Sequence, residues 1–143
     1  MGTSPVTRTN ASSRVDENVA AAMARVNDLF NREVVSNRNF SALDQVYTAD
    51  ARILPPGAPM ISGRDAIRDF WRNVVEYGNM KSAVLSTVDA MRSGDGIVEI
   101  GKASITAQSG EHPWGEMDVK YVVFWTRENG EWKWQIDIWN MSA

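Results

Sequence analysis

Lys120, Gln135 and Asp137 are three polar side chains set into an otherwise apolar stretch near the C-terminus. Asp137 stands between Ile136 and Ile138. A carboxyl group there is either desolvated, which raises its pKa and suits it to abstract an activated C–H proton, or a structural acid paired with Lys120. A lysine partner would lower the pKa and weaken the base. Lys120 itself either steadies an anionic or carbonyl oxygen of a ligand or carries its head to water along the strand. Gln135 either holds a ligand carbonyl or bridges to a helix.

These residues are positioned by a hairpin. Asn129-Gly130 tolerates the positive φ angles of a two-residue type I′ turn, and β-rich runs flank it. With Glu128 opposite Glu131, the uninterrupted register puts Trp125 opposite Trp134, Phe124 opposite Gln135, Val122 opposite Asp137 and Lys120 opposite Trp139. Alternation then makes two faces. One carries Tyr121, Val123, Trp125, Trp132, Trp134, Ile136 and Ile138. The other carries Lys120, Val122, Phe124, Gln135, Asp137 and Trp139, and it is the candidate for chemistry, with Val122, Phe124 and Trp139 as pocket wall. Hydrophobicity alone would turn the first face toward the helices. A single bulge would exchange the two.

A chain of 143 residues with 43% hydrophobic and 23% charged residues is long enough and apolar enough to bury one core. Residues 1–14 read as a polar, disordered tail and 15–143 as a single domain. The net charge of −3 gives no reason to expect nucleic acid or an anionic membrane as partner. No Cys and one His leave no thiolate nucleophile and no ligand set for zinc, so neither metal nor cofactor is expected. No apolar run approaches a membrane span and no signal peptide is legible, which makes a cytoplasmic location the default.

Helical spacing runs from Val15 to Val34, and Asn37-Arg38-Asn39 breaks it. A short helix follows from Ser41 to about Tyr47, then a short strand over 49–54 that Pro55-Pro56 ends. Met60-Ile61 form a minimal strand, Ser62 is a candidate cap, and a third helix runs to Gly78. Strands over 81–91 and 97–107 flank a turn at 93–96, with Gly101 marking a bulge. His112 and Trp114 fall in a loop before the final hairpin, better read as surface than as a lid. Asp50 reads as a local turn or cap, and Tyr47 and Trp71 read as core. Helices first and strands afterwards predict an α+β fold with helices on one face of a bent antiparallel sheet. A final hairpin apolar on both faces needs a second cover, so a homodimer packed sheet to sheet is expected.

Tyr47-Thr-Ala-Asp-Ala51, Pro55-Pro-Gly57, Gly63-Arg-Asp-Ala-Ile-Arg-Asp-Phe-Trp71, Gly130-Glu-Trp-Lys133 and Asp137-Ile-Trp-Asn140 resemble the SnoaL-like, nuclear transport factor 2-like proteins, which include ketosteroid isomerases and polyketide cyclases. The resemblance spans roughly Val15 to Ser142. It implies a cone in which a curved antiparallel sheet and three helices enclose a mostly apolar pocket, with dimers through the outer sheet face. The ketosteroid isomerases' Tyr, Asp base and protonated Asp fall at Asn31, Pro55 and Val122, so steroid isomerisation is not expected, though Asn31 could supply a pocket amide. The base proposed for the polyketide cyclases corresponds to Asp137, seven residues after Gly130, but their neighbouring His-Trp is Gln135-Ile136 here. The resemblance thus implies cofactor-free proton transfer, of isomerase or cyclase type, on a hydrophobic carbonyl compound. The competing expectation is a non-catalytic ligand-binding or protein-association module on the same fold.

Overall fold

The computed structural model describes residues 14–108 and 115–142. His112, Trp114 and the tail up to residue 13 lie outside them. Helix α1 (Glu17–Leu29) starts at Asp16, whose carboxylate accepts from the Val19 amide at 2.9 Å. The sequence predicted one helix to Val34. Instead the chain widens at Phe30 into a π-helical segment, Phe30–Ser36, which turns Phe30, Val34 and Val35 into the core. Arg38, with φ 56°, breaks the helical run where expected. The short second helix is a 3₁₀ turn, Phe40–Gln45, burying Phe40, Ala42 and Leu43.

Strand β1 (Tyr47–Leu54) pairs antiparallel with the two-residue β2 (Ile61–Ser62). Ser62 is therefore a strand residue, and Gly63, at φ 93°, stands at the cap position of helix α2 (Arg64–Tyr77). Helix α2 buries Ile67, Trp71 and Val75, one residue every four. It ends at Gly78, and the left-handed residue there is Asn79, at φ 50°. Four long strands follow: β3 (Met80–Ser93), β4 (Gly96–Ala107), β5 (Gly115–Glu128) and β6 (Glu131–Met141). The sheet order is β2-β1-β6-β5-β4-β3. The fold is α+β, three helices against a curved, unclosed six-stranded sheet. The sheet is not wholly antiparallel as predicted, because β1 joins β6 in parallel.

The hairpin turn is as read: Asn129 and Gly130 take φ 56° and 82°, and Glu128 opposes Glu131. The predicted register holds as far as Trp125 opposite Trp134 and then shifts. Phe124 opposes Ile136 rather than Gln135, Asp137 pairs with Val123, Trp139 with Tyr121, and Lys120 with Asn140. A bulge at Gln135 inserts one residue, and every side chain beyond it changes face. The inward face therefore carries Tyr121, Val123, Trp125 and Trp134 together with Asp137, all buried. Ile136 and Ile138 turn outward. The Trp-rich face, which taking the Asp137 face as pocket would turn outward, is core.

The inward face forms cross-strand rows. Glu99, Val123 and Asp137 are successive partners across β4, β5 and β6, flanked by the rows Gly101–Tyr121–Trp139 and Ile97–Trp125–Trp134. The bulge expected at Gly101 lies opposite it, on β3, where Val88 is the extra residue between Thr87 and Asp89. Gly101 itself admits the Tyr121 ring: a Cβ there would stand 2.2 Å from its Cζ. Gly101→Ala should accordingly destabilise the protein by about 1–3 kcal/mol by forcing Tyr121 off its seat, measured by urea unfolding. Unchanged stability would mean the ring relocates freely. A charged cluster ties the 3₁₀ turn and α2 to the hairpin. Asp44 and Glu128 pair with Arg64, and Glu128 also takes Lys133 at 2.9 Å. The Ala49 amide, then Lys133, hold the Glu128 carboxyl below its ordinary range.

Candidate functional site

Asp137 is 5% exposed, and among the described residues no salt bridge reaches it. The Tyr47 hydroxyl donates to its Oδ2 at 2.6 Å and accepts from Trp71 Nε1 at 3.2 Å. This relay exists because β1 lies beside β6 and because Trp71 belongs to the buried stripe of α2. Burial pushes the Asp137 carboxyl up to about 7. The Tyr47 hydrogen bond acts against that rise and the charge of Glu99 adds to it. Burial and the neighbouring Asp137 in turn raise the Tyr47 phenol well above its ordinary value.

Asp137 opens on a cavity of about 50 Å³. Its apolar wall includes Phe30, Leu85, Ile105 and Val119, and Trp71 stacks on Trp139 there at 5.3 Å between ring centroids. Apart from the indoles of Trp71, Trp134 and Trp139, Asp137 and Tyr121 are its polar side chains. The space suffices for one or two waters, so an organic ligand must displace side chains, and the half-buried Trp139, Leu85 and Ile105 are placed to yield. Three surface clefts are larger, at about 170, 260 and 450 Å³, but the titratable groups on them are exposed.

Next along the row, Glu99 is fully buried. Its Oε2 accepts from Tyr121 Oη at 2.6 Å, Thr87 Oγ1 at 2.7 Å and Asn27 Nδ2 at 3.1 Å, and its Oε1 from Trp125 Nε1 at 2.9 Å. Burial and Glu99 together raise the Tyr121 phenol, leaving it a neutral hydroxyl at the cavity wall.

Of the residues singled out in the sequence, Asp137 and Trp139 meet at this cavity. The bulge puts Lys120, Gln135, Val122 and Phe124 elsewhere, and Asn31, on the π-helical segment, lies apart from it. Lys120 donates to the Met141 carbonyl at 2.8 Å, and so does not neutralise Asp137. Gln135 lies between Thr126 and Asp50, at 2.9 and 3.2 Å. Val122 is 41% exposed and Phe124 half-buried, both on the outer face. Asn31 lies on a separate cleft between α1 and β3, where its Oδ1 accepts from the Ala83 amide at 2.7 Å. Sequence reasoning passed over Glu99, although an acid inside Ile97-Val-Glu-Ile100 was a legible signal of the same kind as Asp137. It took Tyr47 for core, which it is, but its hydroxyl also anchors Asp137.

The profile of the SnoaL-like domain matches residues 16–135. The chain belongs to the SnoaL-like family. A search of curated proteins finds no match. Among solved structures, this SnoaL-like chain is similar to Rv3472 of Mycobacterium tuberculosis, a protein of unknown function. There the TM-score is 0.76 at 11% identity, over 90% of this chain and 79% of that one. It is also similar to the hexachlorocyclohexane dehydrochlorinase LinA-type3 of Novosphingobium barchaimii LL02, with TM-score 0.69 and 19% identity over 88% of each chain. A third is an NTF2-like protein with a cystatin-like fold from Novosphingobium aromaticivorans, with TM-score 0.73 and 10% identity over 87% and 82%. At these identities the likeness is one of fold. Among the described residues, no SnoaL-like helix is long and apolar enough to cross a membrane, and no three His, Cys, Asp or Glu stand together as a metal site.

Proposed function

We propose that the protein binds a hydrophobic small molecule at the Asp137 cavity and catalyses cofactor-free proton transfer next to a carbonyl, with Asp137 as the base. The observation that carries this reading is a buried carboxyl raised to about 7 and facing an apolar cavity without a cation beside it. A base of that pKa is substantially ionised at neutral pH and still accepts a proton readily. The C–H proton would pass to Asp137, leaving an enolate, and return to carbon or to a second site. The dehydrochlorinase among the structural relatives is in keeping with chemistry in a fold of this kind.

Hydrophobic ketones that raise the melting temperature should be assayed for exchange of their α-deuterium into water. Exchange should rise with pH through about 7 as Asp137 ionises, and Asp137→Asn should cut it at least ~100-fold. Full exchange in Asp137→Asn would sink the mechanism.

The small cavity favours a second reading, a binding module without turnover. Trp139→Ala separates the two by enlarging the cavity. It should cost about 3 kcal/mol of stability and strengthen the thermal shift by bulky ketones. A gain in binding with no exchange for any ketone would support the module.

We also propose a homodimer through the outer sheet face. The rows Ile100–Val122–Ile138 and Val98–Phe124–Ile136 lie side by side there, and four of these six residues are more than 35% exposed. Sedimentation at micromolar concentration should show twice 15.9 kDa, and Val122→Glu should halve it. A wild-type monomer would contradict the dimer.

A further inference from the structure

Resting on the reading of the Asp137 cavity as the ligand site, we propose that Glu99 is its specificity-determining residue, a fixed buried anion that excludes negatively charged ligands and admits neutral or cationic ones. Asn27 Nδ2 and Trp125 Nε1 can only donate, and the Thr87 and Tyr121 hydroxyls also point at the same carboxyl group. Four donors on two oxygens are what a carboxylate requires, and they hold it without a counter-ion. No salt bridge reaches Glu99 among the described residues, and no Lys, Arg or His lines the cavity.

Geometry then transmits that charge to the cavity. Glu99 and Asp137 flank Val123 in one cross-strand row on the inward face, so Glu99 stands two strands from Asp137 and one strand beyond Val123, which lines the cavity. Tyr121, hydrogen-bonded to Glu99, forms part of the wall itself. The groups facing Asp137 are Tyr47 from β1, Trp71 from α2 through Tyr47, Tyr121 from β5 and Glu99 from β4, and none can offset a negative charge. A ligand carboxylate would bring another buried anion into a low-dielectric site, where like charges repel far more strongly than in water. A ketone adds no charge. An ammonium group supplies the missing counter-charge and meets the aromatic faces of Trp71 and Trp139.

The test uses a matched set of probes, acetylcyclohexane, cyclohexylmethylamine and cyclohexanecarboxylate, with binding followed by calorimetry at pH 8. On the wild-type protein the carboxylate should bind at least ~10-fold more weakly than the ketone, and the amine no more weakly than the ketone. In Asp137→Asn, where Glu99 is the remaining anion beside the cavity, the gap between ketone and carboxylate should persist, and adding Glu99→Gln to that variant should close it to about twofold. Asn27 Oδ1, buried and without a hydrogen-bond partner, can accept from the new amide after a flip of the Asn27 side chain, so the Glu99→Gln variant keeps a hydrogen bond between the two side chains. Independently of any ligand, the Asp137 carboxyl followed by ¹³C NMR should titrate at a midpoint lower by at least ~0.5 pH unit in Glu99→Gln than in wild type. Wild-type binding of the carboxylate as tight as the ketone overturns the proposal, as does an unmoved Asp137 midpoint. If none of the three probes binds, the titration alone decides. Neither readout needs turnover, so Asp137→Asn with full exchange would remove the base and leave the charge selection standing.

Discussion

Asp137→Asn should make the protein more stable at pH 8, by about 2–4 kcal/mol, while abolishing any proton transfer at the cavity. The folded-state pKa of Asp137 lies above its unfolded value, at about 7 against 3.8. Between those two values the folded state holds a proton that the unfolded state has released. Its contribution to stability is therefore complete below about pH 4 and is lost as pH rises through 7. Above pH 7 the wild type carries an ionised, buried carboxylate whose cost Asn does not bear. The Asn carbonyl still accepts the Tyr47 hydroxyl, while its amide group needs a partner in the small cavity, which trims the gain by about 1 kcal/mol. Urea unfolding at pH 4 and pH 8 measures the effect as a difference of differences. A gain independent of pH, or none at pH 8, would mean that Asp137 is not perturbed as described.

Glu99→Leu should be among the most damaging single substitutions in the sheet, costing about 3–5 kcal/mol. Two effects oppose each other. Removing a buried charge that has no cation relieves desolvation, and replacing buried ionic groups by apolar ones of similar volume can be neutral or stabilising. Against that, the acceptor of four donors disappears, and the Asn27 amide and the Trp125 indole have no second acceptor among their hydrogen bonds. Each buried orphan costs ~1–3 kcal/mol, so the donors outweigh the relief. Glu99→Gln retains an acceptor for Trp125 and should lose less than half as much. If Glu99→Leu proved as stable as wild type, desolvation would dominate and the donor set would not be what holds Glu99 in place.

The two acids differ in how far sequence alone could reach them. Asp137 was legible because a carboxyl between two isoleucines in a β-rich run has few ordinary explanations, and the resemblance to the cyclases pointed to the same residue. Which face it would occupy was not legible. Alternation from Asn129-Gly130 set the apolar face of Tyr121, Val123, Trp125 and Trp134 against the face of Asp137. The hydrophobic pattern and the chemistry thus called for opposite orientations. The bulge at Gln135 satisfies both by inserting one residue after Trp134. A bulge leaves no mark in composition or periodicity when the residues on either side of it are all strand formers, as Trp134, Gln135 and Ile136 are in this hairpin. Lys120, Val122, Phe124 and Gln135 were misplaced as pocket residues for that single reason.

By itself, the sequence determined the order of elements, the type I′ turn, the breaks at Arg38 and Gly78, and the α+β class. These depend on local conformational preference and hydrophobic period, which act over a few residues. It also determined that one carboxyl group near the C-terminus would be unusual. Only the tertiary structure decided what surrounds that group. Tyr47 reaches Asp137 from 90 positions away, and Asn27 reaches Glu99 from 72. Contacts of that range are set by strand register and sheet order, with β1 laid parallel beside β6 and β4 one strand beyond β5. A one-residue change of register moves every such partner to the opposite face. The chemistry of the cavity therefore follows from a bulge that local sequence preferences allow but do not specify.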